Sequence, residues 1–261
     1  MKLHCIPILS ALFTSLVCFS NPATKISDNS PSSGIVIRWN DCEQTIDGFG
    51  IAQAGWAKEL FAFKNRKQVM DKMFGNDGLR LNILRGEIFP HYWENKEDKD
   101  FNLNDDINIE LCDSDFNNKS DDLLRRGQLW LTLEAKNKYH INKLVFSTWS
   151  APAWMKSNGK VSNGKLKPEC YQDFANYLAA FYKAYKSKGI TPYAISPSNE
   201  PGYAAPWNSS LWTADEMGKF ITSNLGPTFQ KENIPAKIIF GENPLWSVVM
   251  PQLKMVSSKD F

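Results

Sequence analysis

The feature that most constrains this chain is its alternation of short apolar runs with longer segments of helical spacing. Gln44–Gly50, Leu79–Ile88, Lys143–Thr148, Tyr193–Ser196 and Lys237–Phe240 read as strands. Between them, Ala57–Phe74 carries Leu60, Phe61, Val69, Met70 and Met73 at helical spacing and stops at Gly75. Leu123–Tyr139 reads as a helix capped by Asp121 or Asp122. Pro168–Lys188 has proline at its first turn and Gly189 just past its end, the expected asymmetry. Thr213–Glu232 and Leu245–Val256 complete the helices. Strands alternating with helices imply a parallel sheet, because each strand must be re-entered from the same end. Phe89–Ser120 is an acidic, Asn-rich excursion, longer than a structural connection needs.

Two architectures satisfy this pattern, a doubly wound open sheet and a (β/α)8 barrel. The turns that follow the five strands are all rich in chemistry: Gly48-Phe49-Gly50, Arg85-Gly86-Glu87, Trp149-Ser150-Ala151-Pro152, Asn199-Glu200-Pro201 and Gly241-Glu242-Asn243. An open sheet uses mainly one switch point, whereas a barrel gathers every strand end at one mouth. The α/β class with a TIM barrel is therefore the expected fold. A closed barrel needs eight units. About five are present, so the barrel is expected to be incomplete, with residues 44–261 as its N-terminal part.

Ahead of it, residues 1–20 read as a signal peptide: Lys2, an apolar Ile6–Phe19 interrupted by Pro7, and small-residue processing near Ser20. Secretion or a periplasmic location follows. A lipidated Cys18 is the alternative, although Val17 is larger than the small residue usual before such a cysteine. Residues 21–33 read as a polar linker, and residues 34–43 hold a short strand at Gly34–Trp39. Cys42, Cys112 and Cys170 remain after the leader, an odd count that is no disulfide framework, though one pair is open.

The net charge is +2, and loss of a leader whose one charged residue is Lys2 leaves +1, so nothing points to nucleic acid or an anionic membrane. No later segment is long and apolar enough to cross a bilayer. The three histidines, His4, His91 and His140, are too scattered for a zinc site or serine–histidine catalysis, and no metal or cofactor is expected. The glycines around Gly48 lack the spacing of a dinucleotide loop.

The stretch Ile195-Ser196-Pro197-Ser198-Asn199-Glu200-Pro201 places a carboxylate behind an amide at a strand end, stopped by proline. Tyr203, Trp207 and Trp212 follow closely. A carboxyl among aromatic faces suits glycosidic bond cleavage. Trp149 reads as a sugar platform. For Trp154, sugar contact and packing into the barrel top are both open. Arg85 could hold a carboxylate ionised near the site centre, the bland alternative being an ion pair with Glu87.

The chain resembles glycoside hydrolase family 30, a family of retaining (β/α)8 glycosidases. The resemblance is carried by Gln44–Gly50, Asn82-Ile83-Leu84-Arg85, Phe146–Gly159 and Tyr193–Pro201, which occur in the family's order. Leu166-Lys167-Pro168-Glu169 and Trp212–Met217 are most similar to the bacterial endoxylanase branch. The resemblance implies that Glu200 is the acid/base, that Asn199 bonds the sugar 2-hydroxyl, that Arg85 contacts the nucleophile and that Trp149 lines the sugar subsite. Trp154, Tyr203 and Trp207 are the further candidate sugar contacts. The family's nucleophile is a second Glu at the end of strand seven, which this chain does not reach. Glu242, ending the fifth strand, does not occupy that place. The 34–39 strand would belong to the family's β-sandwich, absent here. The expected activity is retaining hydrolysis of a β-linked polysaccharide, with xylan first and β-1,6-galactanase, β-glucosidase or glucosylceramidase activity as alternatives. The 261-residue chain by itself is expected to be inactive for want of the second carboxyl, and a non-catalytic carbohydrate-binding fragment is the rival class.

Overall fold

The structure is a computed structural model. It describes residues 38, 40–41, 45–53, 56–98, 121–243, 245, 247 and 249. The expected leader, the linker and, apart from Arg38, the expected 34–39 strand lie outside the described residues. So do Cys18, Cys42 and Cys112, residues 99–120, and most of the expected last helix. The chain divides into two units, residues 1–45 and 46–261. In the first, Arg38 and Asp41 form an exposed ion pair at 3.5 Å. The second carries every element that follows.

Among the described residues, five strands form one sheet in sequential order: β1 (Gly50–Ala52), β2 (Ile83–Ile88), β3 (Lys143–Thr148), β4 (Ala194–Ser196) and β5 (Lys237–Ile238). Every pairing is parallel. Each new strand is added on the same side of the last, without the reversal that defines a doubly wound sheet. This is the winding of a TIM barrel, with five of its strands in place.

The strand pattern explains which face is which. In β2, Leu84, Gly86 and Ile88 are buried, while Ile83, Arg85 and Glu87 alternate with them on the other face. Phe146 of β3 packs against the rings of Phe181 and Tyr185 at 5.1 and 4.9 Å between centroids. Both rings come from α4 (Tyr171–Ser187). A Cβ on Gly86 would meet the Phe146 ring at 2.8 Å, so glycine is what lets β2 lie this close. The helix α3 (Asp121–Tyr139) is tied to β2 by Gln128, whose amide bonds both Glu87 N and Glu87 O, at 2.6 and 2.7 Å. This buried apolar layer packs helices onto the sheet; the opposite face carries Arg85 and Glu87 beside the apolar Ile83.

Several expected boundaries move. The first strand begins at Gly50, and residues 45–49 of the expected strand stay outside it, because Asn82 replaces the ladder before it. Its side chain accepts from Phe49 N and donates to Asp47 O. The second strand begins at Ile83, since Leu79 and Leu81 donate instead to Lys72 O and Met73 O at the preceding helix end. That helix is two: α1 (Ala57–Ala62) and α2 (Arg66–Phe74). Phe63 is extended between them, and Arg66 turns back to bond Phe61 O at 2.5 Å while lying over the Phe61 and Trp130 rings. The third helix runs from Asp121, so both aspartates lie within it rather than ahead of it. Pro168–Cys170 is a separate 3₁₀ turn before α4. The 213–232 helix becomes α5 (Ala214–Phe220), a π turn (Ile221–Leu225) and α6 (Gly226–Lys231). Pro227 has no N–H and its ring crowds the carbonyl four residues back, so the helix widens just before it. Cys170 is buried with a free thiol.

Candidate active site

The corner at residues 197–201 is fixed from both sides. Asn199 N donates to Thr148 O at 2.6 Å, and Thr148 Oγ1 donates to Pro197 O at 2.5 Å, which pins it to the end of β3. Glu200 N donates to Glu242 O at 2.9 Å, which pins it to the segment after β5. Between these ties Glu200 takes φ +46°, a left-handed conformation that a non-glycine residue adopts at a cost of about 1 kcal/mol or more. Tyr203 N then bonds Glu200 O at 2.9 Å, closing the turn. The left-handed residue ends the extended path of β4 at this corner.

Arg85 organises the polar face. Its Nε and Nη2 lie 2.7 and 2.5 Å from Glu242 Oε1, and Nη2 is also 2.7 Å from Asn199 Oδ1. Its guanidinium carbon sits 4.6 Å from the centre of the Trp149 ring, a cation–π distance. Ser147 Oγ donates to the other oxygen of Glu242 at 2.6 Å. One cluster thus holds Arg85 of β2, Ser147 of β3, Trp149 and Asn199 after β3 and β4, and Glu242 after β5. Glu200 is bonded to the same Glu242 through its main chain. Arg85 forms its ion pair with Glu242 rather than with Glu87, the alternative partner expected from the sequence.

The remaining candidate aromatics separate into two kinds. Tyr203 and Trp207 are 48% and 55% exposed with ring centres 6.3 Å apart, so both keep a face free for a ligand. Trp154 packs against the core and donates its indole N–H to Trp93 O at 3.2 Å. Trp212, close behind Glu200 in sequence, is a core residue beside Tyr171, Phe174 and Phe220.

Residues that sequence reasoning passed over also shape the site. Lys156 is fully buried and donates to Ser150 Oγ at 3.0 Å and Ser209 O at 2.7 Å. It joins the loop carrying Trp149 and Trp154 to the loop carrying Tyr203 and Trp207. Nothing in its sequence neighbourhood marks it as buried. Glu242 had one signal, its position at a strand end, but its partners are set by register. Among the described residues, no three His, Cys, Asp or Glu side chains gather as metal ligands, and no helix is long and apolar enough to cross a membrane.

The arrangement can present one carboxyl, an amide and an aromatic face to a hydroxyl-rich ligand. A sequence model described as the glycosyl hydrolase family 30 TIM-barrel domain matches residues 46–241. A putative glucosylceramidase 3 of Caenorhabditis elegans is 30% identical over 200 residues, covering 73% of this chain and 37% of that protein. Glucuronoxylanase XynC of Bacillus subtilis is 34% identical over 114 residues, covering 42% of this chain and 25% of its own length. The catalytic domain of GH30 xylanase C from Talaromyces cellulolyticus superposes with a TM-score of 0.66 at 25% identity, over 82% of this chain and 51% of that one. The chain therefore spans less than half the length of these curated relatives.

Proposed function

This chain belongs to glycoside hydrolase family 30, and from that premise we propose that it supplies the acid/base part of a retaining β-glycosidase site whose polysaccharide is xylan. The observation that carries this reading is the joined cluster of Arg85, Asn199 and Trp149 beside the strained Glu200 corner. In it, Glu200 is the acid/base, Asn199 bonds the sugar 2-hydroxyl, and Trp149 with Tyr203 and Trp207 offers aromatic faces to the sugar rings. Trp154 supports Trp93 and the loop rather than the sugar.

Retaining hydrolysis needs a second carboxyl about 5–5.5 Å from the first. The family resemblance puts that nucleophile on a seventh strand, so turnover is a property of the full-length protein. Xylan is favoured by the resemblance of Leu166–Glu169 to the endoxylanase branch and by the xylanases among the similar proteins. The other branch motif, Trp212–Met217, builds a helix start: Thr213 and Glu216 form a reciprocal cap there. Galactan, glucoside and glucosylceramide are the rival substrates, and a non-catalytic sugar-binding barrel is the rival class.

The test uses full-length protein on a panel of glucuronoxylan, β-1,6-galactan and glucosylceramide, with Glu200→Gln beside the parent. A glutamine keeps the reach of Glu200 but cannot exchange a proton. Loss on the polysaccharide should be on the order of 10²–10⁴-fold, the usual worth of general acid–base catalysis. An aryl glycoside with an acidic phenol leaves with little proton help, so its glycosylation step should suffer far less. Azide should then restore turnover, since it attacks the glycosyl-enzyme without a base. Equal losses on both substrates with no azide effect would remove Glu200 from the acid/base role.

The reading includes export through the 1–20 leader. Mass spectrometry of protein recovered outside the cytoplasm should find Asn21 or a near neighbour at the N-terminus. An intact Met1 in exported material would refute the leader, and a lipid adduct on Cys18 would assign the anchor instead.

A further inference from the structure

We propose that Glu242 is a positioning residue for recognition of the sugar 2-hydroxyl, acting through Arg85 on the amide of Asn199; the proposal rests on the reading of Asn199 given above. An asparagine amide is nearly symmetrical in shape but not in function. One end accepts hydrogen bonds and the other donates, and a half-turn about the last bond exchanges them. Which end faces a ligand is decided by whatever holds the opposite end. Here that holder is Arg85, whose Nη2 lies 2.7 Å from the Asn199 side-chain oxygen. A guanidinium has donors only, so it can bond only the oxygen end of the amide. The amide nitrogen is thereby turned to the other side, where it can donate to a hydroxyl oxygen.

Arg85 can set the amide only if it is itself held. Among the described residues, its flexible side chain also meets Trp149 and Glu242. The Trp149 ring lies at 4.6 Å, a contact that fixes distance but tolerates rotation. Glu242 Oε1 lies within 2.7 Å of both Nε and Nη2. Two donors along one edge of the guanidinium, both aimed at one oxygen, fix its rotation. Glu242 is itself fixed, because Ser147 Oγ donates to Oε2 at 2.6 Å. The result is a relay from Ser147 through Glu242 and Arg85 to Asn199, spanning β2, β3 and the segments after β4 and β5. Charge-assisted bonds of this kind are shorter and stronger than neutral ones and impose direction.

Glu242 also holds the neighbouring Glu200 by a different route, through its main-chain oxygen at 2.9 Å. A side-chain substitution at 242 leaves that main-chain bond in place. The two roles can therefore be separated, and the effect on the 2-hydroxyl read apart from any effect on Glu200.

The experiment uses the full-length protein and two aryl glycosides with an acidic phenol. Both carry the sugar released in the panel above, one with its 2-hydroxyl and one lacking it at the reacting ring. kcat/KM is measured for the parent, Glu242→Gln, Glu242→Ala and Asn199→Ala. Loss of a directed hydrogen bond to the transition state is worth about 10–100-fold in rate. Glu242→Ala is expected to lose about that factor more on the hydroxyl-bearing substrate than on the 2-deoxy one, a loss common to both being the share of Arg85 at the nucleophile, with Asn199→Ala showing the same selectivity. Glu242→Gln keeps the side chain's shape with a weaker hold on Arg85 and is expected to fall between, which keeps the test open if the alanine variant folds poorly. A purely structural role would slow both substrates alike, and that result for the Glu242 variants overturns the proposal. If Asn199→Ala itself fails to distinguish the substrates, the underlying reading of Asn199 falls. If Asn199→Ala distinguishes them and neither Glu242 variant does, only the relay falls.

Discussion

A buried ammonium without a carboxylate partner is unusual, and Lys156 is held by neutral oxygens, Ser150 Oγ and Ser209 O. Burial disfavours its charged form and pushes its pKa down to about 8. The unfolded chain keeps the ordinary lysine value of about 10.4. Below pH 8 both states carry the proton, and the folded state bears the full penalty of burying it. Between the two values the unfolded state binds more protons, so stability rises with pH; above both, the lysine is neutral either way and the penalty is gone. In full-length protein, raising the pH from 7.5 to 9.5 should stabilise the parent relative to Lys156→Met by about 2 kcal/mol. Urea unfolding of the pair at both pH values reads this difference, and parallel stability curves would show that Lys156 does not titrate as its burial requires. Residues of this kind were not legible in the sequence. Glu200, Asn199 and Arg85 stand out because amide, carboxylate and guanidinium sit at strand ends among turn-forming residues. Lys156 looks like any surface lysine until its loop is folded, and Glu242 depends on a contact between residues 157 apart.

At the scale of elements, legibility follows how local the deciding interaction is. Lys143–Thr148 keeps its expected limits because its apolar run and its neighbours β2 and β4 agree over the whole length. The start of α5 is equally local, since Thr213 and Glu216 cap each other within one turn. The first strand is different. Gln44 to Gly50 has the composition of a strand, yet the Asn82 side chain meets the backbone of residues 47 and 49 and delays pairing until Gly50. The α1–α2 break is likewise made by a distant partner, Trp130, which together with Phe61 receives Arg66. Helical periodicity passes unbroken through that turn, so no local signal reports it. The aromatics divide on the same principle. Exposure of Tyr203 and Trp207 and burial of Trp212 are set by which loop packs over which helix, and hydrophobicity alone treats the three alike.

At the scale of the whole molecule, the sheet is wound as a barrel but is open among the described residues, with β1 and β5 as its edges. Parallel sheets are stable when both faces are covered and all interior strands are paired. Here helices cover one face, while the other bears Arg85 and Glu87 from β2 and Ser147 from β3, groups suited to the interior of a closed mouth. Near β1, Ile46 and Phe49 are 59% and 68% exposed, so apolar surface lies beside an unpaired edge. An exposed apolar edge is a template for pairing with other chains. The 261-residue chain expressed by itself should therefore aggregate or remain loosely packed, with native-like far-UV circular dichroism, strong binding of a hydrophobic dye and no cooperative thermal transition. Adding soluble denaturant at low concentration should disperse it without restoring a sharp melt, because the missing element is pairing and not solubility. Size-exclusion chromatography with light scattering and a thermal scan decide the matter. A monodisperse monomer with a single sharp transition would mean that the five-stranded sheet satisfies its own edges, and the aggregation argument would fail at its first step.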